Sequence, residues 1–417
     1  MRRLDAYRTW LVYQGAEAFA RRLTWTVAPI YFVLDVGMSP LQLVLAGTAM
    51  EVAYFAFEVP TGVVADTYGR RLSVIVAPVL MGMGFLVTGL VESVFVILLA
   101  QALIGFGWTF KSGAIDAWLA DEIGQARLGG AYQRGAQVER AASLAWIGAA
   151  VVLAVVDLRL PIVLGGVVLL GLGLVLLVLM PETGFTPARR EDVSAARSMA
   201  ATARQGTRLI RANTVLMLIV AIVFLRGMSD EGFDRLWEAH LLVDVGVPEF
   251  AGLDAVLWFG VLNAGALLLS IVVAQPLVTR FERLGLSAMA KTLLVLEVAV
   301  VGGMLVFAFA GAFAVAVLAF WAVRVSWSLA SPVYMTWVNG NISDSTTRAT
   351  VISLTNVGHS IGEAGGGPAL GVVGNVYGVG AALAAGAAAL TPALALYGRA
   401  IRHHGREPEL ATVNKVV

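Results

Sequence analysis

The sequence predicts an all-helical membrane protein with twelve transmembrane helices in two pseudo-symmetric six-helix bundles, and three observations carry that prediction. Hydrophobic residues make up 59% of the chain and charged residues only 14%, with a mean hydropathy of +0.82, far from the composition of soluble domains. The apolar runs are continuous and long enough to cross about 30 Å of hydrocarbon as helices, whereas a β-barrel would alternate apolar and polar positions. The second half also repeats the first. Val33-Leu34-Asp35-Val36-Gly37 recurs as Leu242-Val243-Asp244-Val245-Gly246, each closely followed by proline, and the ten-residue spacing of Trp108 and Trp118 recurs in Trp327 and Trp337.

The expected spans cover residues 8–36, 39–65, 72–91, 94–120, 130–156 and 160–180 in the first half. Those of the second half cover 213–244, 250–279, 286–310, 312–338, 346–374 and 377–398. Arginines sort these segments by direction. Arg2, Arg3, Arg8, Arg70, Arg71, Arg127, Arg134, the run from Arg189 to Arg211, Arg280, Arg283, Arg348 and the stretch Arg399 to Arg406 fall on one side, with Arg159 the exception. The positive-inside bias makes that side cytoplasmic, with both termini on it, in a multi-pass protein of the cell inner (plasma) membrane. The organisation that follows is an N-terminal six-helix bundle over 1–184, a cytoplasmic linker over 185–212 and a C-terminal six-helix bundle with a cytoplasmic tail over 213–417. Arg197, Arg204, Arg208 and Arg211 share roughly one helical face of the linker, which suits either a helix on anionic headgroups or a plain connector. The Met1-Arg2-Arg3 start leads into an apolar run too long for a signal-peptide core, so it reads as a retained first helix.

A net charge of +1 argues against a nucleic-acid surface. The chain has no cysteine, hence no disulfide framework or thiolate metal site. No nucleophile elbow, zincin pair or phosphate-cradling loop occurs. His403 and His404 lack the further ligands of a closed metal site, and His240 with Asp244 sits inside the repeated segment. Neither a cofactor, a metal nor an enzyme activity is expected.

Charges inside the spans carry the functional reading, because each costs at least ~2.5–3.5 kcal/mol at the bilayer centre and marks a polar cavity or an ion pair. Glu17 and Arg21 lie four apart in the first span, and Arg226 and Asp230 lie four apart in the seventh. The register of the repeat superposes Glu17 on Arg226 and Arg21 on Asp230, the same pair with signs exchanged. These four, with Trp108 and Lys111 in the fourth span and Trp321 and Arg324 in the tenth, are the expected substrate cavity, since flat aromatics beside cations can stack an amphipathic ligand. A structural lock between the halves would use the same charges. Trp118 and Trp337, near span ends, read as interface anchors. Glu231, Asp234, Arg235 and Glu238 continue the seventh span with too many charges for a lipid face.

In the eleventh span Asn356, His359 and Glu363 form a one-face polar stripe able to carry a proton. Gly365-Gly366-Gly367-Pro368 follows and is expected to loosen the helix. His359 and Glu363, then Glu51 and Asp116, are the candidate proton-coupling residues. Glu58 and Glu297 read as structural.

Between the second and third spans stands Gly62-Val-Val-Ala-Asp66-Thr-Tyr-Gly69-Arg70-Arg71. It resembles the loop motif Gly-x-x-x-Asp-x-x-Gly-Arg-Arg of the major facilitator superfamily, with all five specified positions met. The resemblance implies alternating access by rocking of two six-helix halves around a central site. It also implies a gate in which Asp66 caps and pairs across the halves while Arg70 or Arg71 reaches Asp121, on a turn set by Gly62 and Gly69. The chain is similar to the twelve-helix drug:proton antiporters of that family, but the antiporter patterns of the fourth and fifth spans are degenerate: Gln101-Ala-Leu-Ile104-Gly105 lacks the family's arginine and glutamine, and Ser143-Leu-Ala-Trp146-Ile-Gly148 stands where its helix-five pattern would be. The expected function is proton-coupled efflux of small organic or drug-like compounds. The alternative is a proton-coupled or facilitative importer of a zwitterionic or charged metabolite, and a third reading is a membrane-embedded enzyme or non-transporting receptor. Expected partners are a small-molecule substrate, protons and the lipid bilayer, with a monomer as the working unit.

Overall fold

The computed structural model describes residues 5–185, 204, 207–208, 210–248, 255–281, 284–342 and 348–413. The expected linker over 185–212 lies mostly outside the described residues. Those residues form helices joined by short turns, with no strand among them. The first half holds α1 (Ala6–Leu34), α2 (Pro40–Tyr68), α3 (Arg70–Leu90), α4 (Val94–Lys111), α5 (Ala114–Ile123), α6 (Gln125–Val156) and α7 (Arg159–Leu179). The second holds α8 (Thr214–Ala239), α9 (Ala255–Phe281), α10 (Leu286–Ala308), α11 (Phe313–Gly340), α12 (Arg348–Tyr377) and α13 (Val379–Val413). Each of the twelve expected spans coincides with a helix, except that the fourth is two helices.

Local chemistry sets the boundaries. Ser39 and Gln42 form a reciprocal capping box ahead of α2, with Pro40 in the first turn, where a missing N–H costs nothing. One residue, Gly69, turns α2 into α3 at φ 124°, a conformation that side chains disfavour. Asn213 accepts from the N–H groups of Val215 and Leu216 to start α8. The break between α4 and α5 sits at Gly113, φ 69°, beside Ser112, whose hydroxyl donates to Glu58 Oε1 at 2.7 Å. α8 runs on into a π-helical turn over His240–Val245.

Eight of the helices are apolar enough by composition alone to cross a membrane. The long helices outside that set are α1, α6, α8 and α12, which are richer in charged and polar residues; α1 and α8 are repeat-related, and so are α6 and α12. Large apolar side chains such as Phe95, Val156, Leu174, Val295 and Leu318 are exposed, the surface that lipid solvates.

The chain divides into two compact units, residues 1–192 with 249–260, and residues 193–248 with 261–417. In the first, α1 packs on α6 and α7, and α3 on α4 and α7. In the second, the repeat-related pairs recur: α8 on α12 and α13, and α10 on α11 and α13. The first core gathers Trp10, Tyr13, Phe85, Ile104 and Trp118. In the second, Phe233 meets Phe307 and Phe320 at centroid distances of 5.4 and 6.3 Å.

Two expectations are corrected. α12 runs unbroken through Gly365–Pro368, and its neighbouring glycines serve close packing instead. A Cβ on Gly227 would lie 2.2 Å from the His359 carbonyl oxygen, one on Gly362 2.2 Å from the Phe224 carbonyl oxygen, and one on Gly366 2.5 Å from the Met228 Cα. α8 and α12 therefore touch backbone to backbone. Trp118 and Trp337 are not interface anchors: both are fully buried. The Trp118 indole donates to the Pro181 carbonyl at 2.8 Å, and that of Trp337 to His404 Nε2 at 3.4 Å.

Candidate functional site

In the first unit the i,i+4 spacing of α1 brings Glu17 and Arg21 to 3.4 Å. Glu17, only 4% exposed, also accepts from Lys111 Nζ at 2.9 Å. Arg21 donates in turn to Glu139 on α6 at 3.0 Å. Lys111 lies over the rings of Trp108 and Tyr13 at 5.1 and 5.9 Å. Thus a short chain of alternating charge joins α1, α4 and α6, and every member has an opposite neighbour. Trp108 also borders a cavity of about 170 Å³ with Met50, Glu51, Tyr54 and Gly105. Asp116 is exposed on α5.

At one end of this unit Arg70 pairs with Asp121 and donates to the Ala117 carbonyl, which ties the start of α3 to α5. Arg71 turns elsewhere: its side chain donates to the Leu177 and Met180 carbonyls at the C-terminal end of α7, and its backbone N–H donates to Glu182. Unpaired carbonyls at a helix C-terminus are natural acceptors for a guanidinium. Gly62 has open space around its Cα, and Asp66 is exposed near the end of α2.

The second unit holds a longer network. Arg226 on α8 meets Asp230 at 3.3 Å and Glu297 on α10 at 3.8 Å. His359 on α12 stands between two carboxylates, with Nε2 3.5 Å from Asp230 and Nδ1 3.3 Å from Glu363. The order is therefore Glu297, Arg226, Asp230, His359, Glu363, across three helices. A proton moving between Asp230 and Glu363 would meet one imidazole on the way, the arrangement through which histidine passes protons.

Arg226 and His359 also line a cavity of about 220 Å³ with Ile222, Val223, Trp327, Ser331, Tyr334, Thr355, Asn356 and Tyr397. The Trp327 indole N–H and the Tyr397 hydroxyl are buried there without a hydrogen-bond partner. Further along α8, Glu231 pairs with Arg235 at 2.8 Å and Asp234 with Arg324 at 2.7 Å. Trp321 is committed to packing: its indole donates to the Leu262 carbonyl at 2.9 Å and lies against Gly265. His240 has both ring nitrogens engaged, by Asp244 at 2.8 Å and the Phe307 carbonyl at 2.9 Å.

The model of the Major Facilitator Superfamily matches residues 11–367 of this sequence. The chain belongs to the major facilitator superfamily. Among curated proteins it is similar to the uncharacterized MFS-type transporter YxaM of Bacillus subtilis (strain 168), at 26% identity over 109 residues, covering 26% of this chain and 27% of that protein. The aligned part is thus about a quarter of the relative's length. Solved structures of the same fold include the nucleoside transporter NupG, with a TM-score of 0.72 at 12% identity over 95% of this chain and 99% of that one. They also include the peptide transporter POT in complex with sulfate, with a TM-score of 0.69 at 14% identity, covering 95% of each chain. A bacterial homolog of the human lysosomal transporter Spinster, inward-facing and unoccupied, gives a TM-score of 0.69 at 14% identity over 95% and 96%. At such identities the likeness concerns the fold, the all-α architecture of this superfamily.

Sequence reasoning missed one member of the ion-pair networks, Glu139, and left the neighbour of another, Glu297, unnamed. Glu139 had a signal in its own right, a carboxylate inside the fifth span, but no i,i+4 partner on its helix to draw notice. Glu297 reads from the sequence as structural, and its neighbour is Arg226, which it shares with Asp230. The signal was the one carboxylate of α10, buried six residues past Lys291 and so out of reach of that helix's own cation at i,i+4 spacing.

Proposed function

We propose that this protein exports small organic, drug-like compounds in exchange for protons, by alternating access of its two six-helix halves. The observation that carries the reading is the charge balance of the second-half network. Glu297, Asp230 and Glu363 are three carboxylates joined through one fixed cation, Arg226, and one imidazole, His359. Three carboxylates against a single fixed cation at membrane depth would be costly to hold ionised together. Protons or a substrate must neutralise part of them, and exchange between the two is coupling. His359, with a carboxylate beside each nitrogen, and Glu363 are the leading proton carriers; Glu51 and Asp116 are the candidates in the first half.

Glu17, Arg21, Trp108, Lys111, Arg226, Asp230, Trp321 and Arg324 remain the proposed substrate-cavity set, with Trp321 acting through the wall it braces. The paired opposite charges Glu17–Arg21 and Arg226–Asp230 favour a second reading, uptake of a zwitterionic metabolite. The bundles 1–184 and 213–417 are the proposed moving bodies, joined by 185–212, in an inner-membrane monomer with both termini cytoplasmic. The loop set Gly62, Asp66, Gly69, Arg70, Arg71 and Asp121 is the proposed cytoplasmic gate.

The test is ligand-driven proton release from purified protein, read with a pH dye. Release in the parent protein that vanishes in Glu363→Gln while ligand still binds supports the assignment. Undiminished release in that variant moves the proton site elsewhere, and none in the parent refutes proton exchange.

A further inference from the structure

Each half of the chain holds one of its own cations against aromatic faces. In the second half the Arg324 guanidinium carbon lies 5.2 Å from the ring centres of both Phe320 and Trp327, 5.6 Å from that of Phe233 and 6.0 Å from that of Trp237. Four rings around one cation is the composition of an aromatic cage, the arrangement that recognises alkylated ammonium groups through the negative faces of the rings. Helical spacing builds it: Phe233 and Trp237 are four apart on α8, and Phe320 and Trp327 are seven apart on α11 around Arg324.

The acidic side of the cage exceeds its resident cation. Arg324 pairs with Asp234 at 2.7 Å, and the charges of Arg324, Asp234 and Arg235 also act on Glu238; Arg235 is itself paired with Glu231 at 2.8 Å. Glu238 is 8% exposed, with one carboxylate oxygen lacking any hydrogen-bond partner. A buried carboxylate oxygen left without a donor is costly, and a cationic ligand would relieve that cost. Asp234, by contrast, is 46% exposed at its side chain, so the pair has a solvated end toward which the guanidinium can withdraw. Guanidinium is weakly hydrated for a cation and always charged. Trp327 also borders the 220 Å³ cavity, which at the packing density of protein interiors holds on the order of ten non-hydrogen atoms.

We propose that this cage is a binding site for an organic cation, an alkylated ammonium bearing an aromatic group, and that Arg324 is a resident occupant which the ligand displaces. The proposal rests on the transport reading above and names its substrate class. The ammonium takes the place of the guanidinium among the four rings and meets Glu238, while the aromatic body extends past Trp327 into the cavity. The first half has a smaller version of the device, Lys111 over Trp108 and Tyr13 with Glu17 as its carboxylate.

The test is equilibrium binding of benzyltrimethylammonium to purified protein in lipid nanodiscs, beside its neutral isostere neopentylbenzene. Wild type is expected to bind the cation saturably and at least about tenfold more tightly than the isostere. Arg324→Ala should tighten the cation by about tenfold, because the competing occupant is gone, whereas an arginine that anchors substrate would weaken on removal. Arg324→Gln provides the same comparison should the alanine variant fail to fold. Glu238→Gln and Trp327→Leu should each weaken binding by about tenfold. Equal binding of cation and isostere, or weaker or unchanged cation binding without Arg324, overturns the proposal. Binding needs no flux, so the two readings fail separately. Cation binding with these variant effects but no exchange in proteoliposomes would refute transport and keep the site. Proton-driven exchange with weakened binding in Arg324→Ala would keep transport and refute the site.

Discussion

Replacing Glu17 by glutamine tests the charge chain of the first half at its most buried member. Glu17 accepts from Lys111 at 2.9 Å and lies 3.4 Å from Arg21. Arg21 keeps Glu139 at 3.0 Å when Glu17 is neutralised, so the loss falls on Lys111, whose side chain is 18% exposed. Breaking a buried pair from one side costs about 3–5 kcal/mol. Lys111 retains two aromatic faces and some solvent, which lowers the expected cost to about 2–3 kcal/mol. Lys111→Met should cost less, because Glu17 keeps Arg21. The double variant should be more stable than the sum of the two predicts, since it leaves no lone lysine. Reversible denaturant unfolding in mixed micelles, as a double-mutant cycle, measures all three. Equal single costs that add without coupling would refute the pairing.

Three further outcomes are expected. Gly227→Ala or Gly366→Ala should destabilise by at least about 1–3 kcal/mol, since the new methyl meets backbone of the facing helix; the exposed Gly365→Ala should be neutral or stabilising by up to about 1 kcal/mol, and thermal unfolding separates them. Trp118→Phe should cost about 1 kcal/mol, for the lost bond to the Pro181 carbonyl, with no change in ligand affinity in a binding titration. Asp66→Asn should shift the proposed gate toward the inward-open state, and distance distributions across it by spin labels would be unchanged if the gate assignment is wrong.

Hydropathy and the repeat made the helices legible, because lipid leaves the backbone few alternatives. Register made part of the site legible too: Glu17 with Arg21, and Arg226 with Asp230, meet because i and i+4 share a face on any helix. What sequence hides is which helix stands next to which. Glu139 and Glu297 join the networks from other helices, and nothing local announces their partners. The Gly365–Pro368 stretch shows the same gap. Glycine there reads equally as looseness or as close approach, and only the facing backbone of α8 decides. Trp118 and Trp337 sit near span ends as anchors would, but their neighbours enclose them. The α4–α5 break was written in Lys111-Ser112-Gly113, yet hydropathy runs straight through it.

Proton-driven transport is tested most directly in proteoliposomes loaded with a fluorescent organic cation such as ethidium, under an imposed pH gradient. Proton exchange predicts uphill movement of the dye against the proton flow. The movement should stop when an ionophore collapses the gradient and should be absent in Glu363→Gln. Flux that ignores the gradient, or that survives unchanged in that variant, would contradict it.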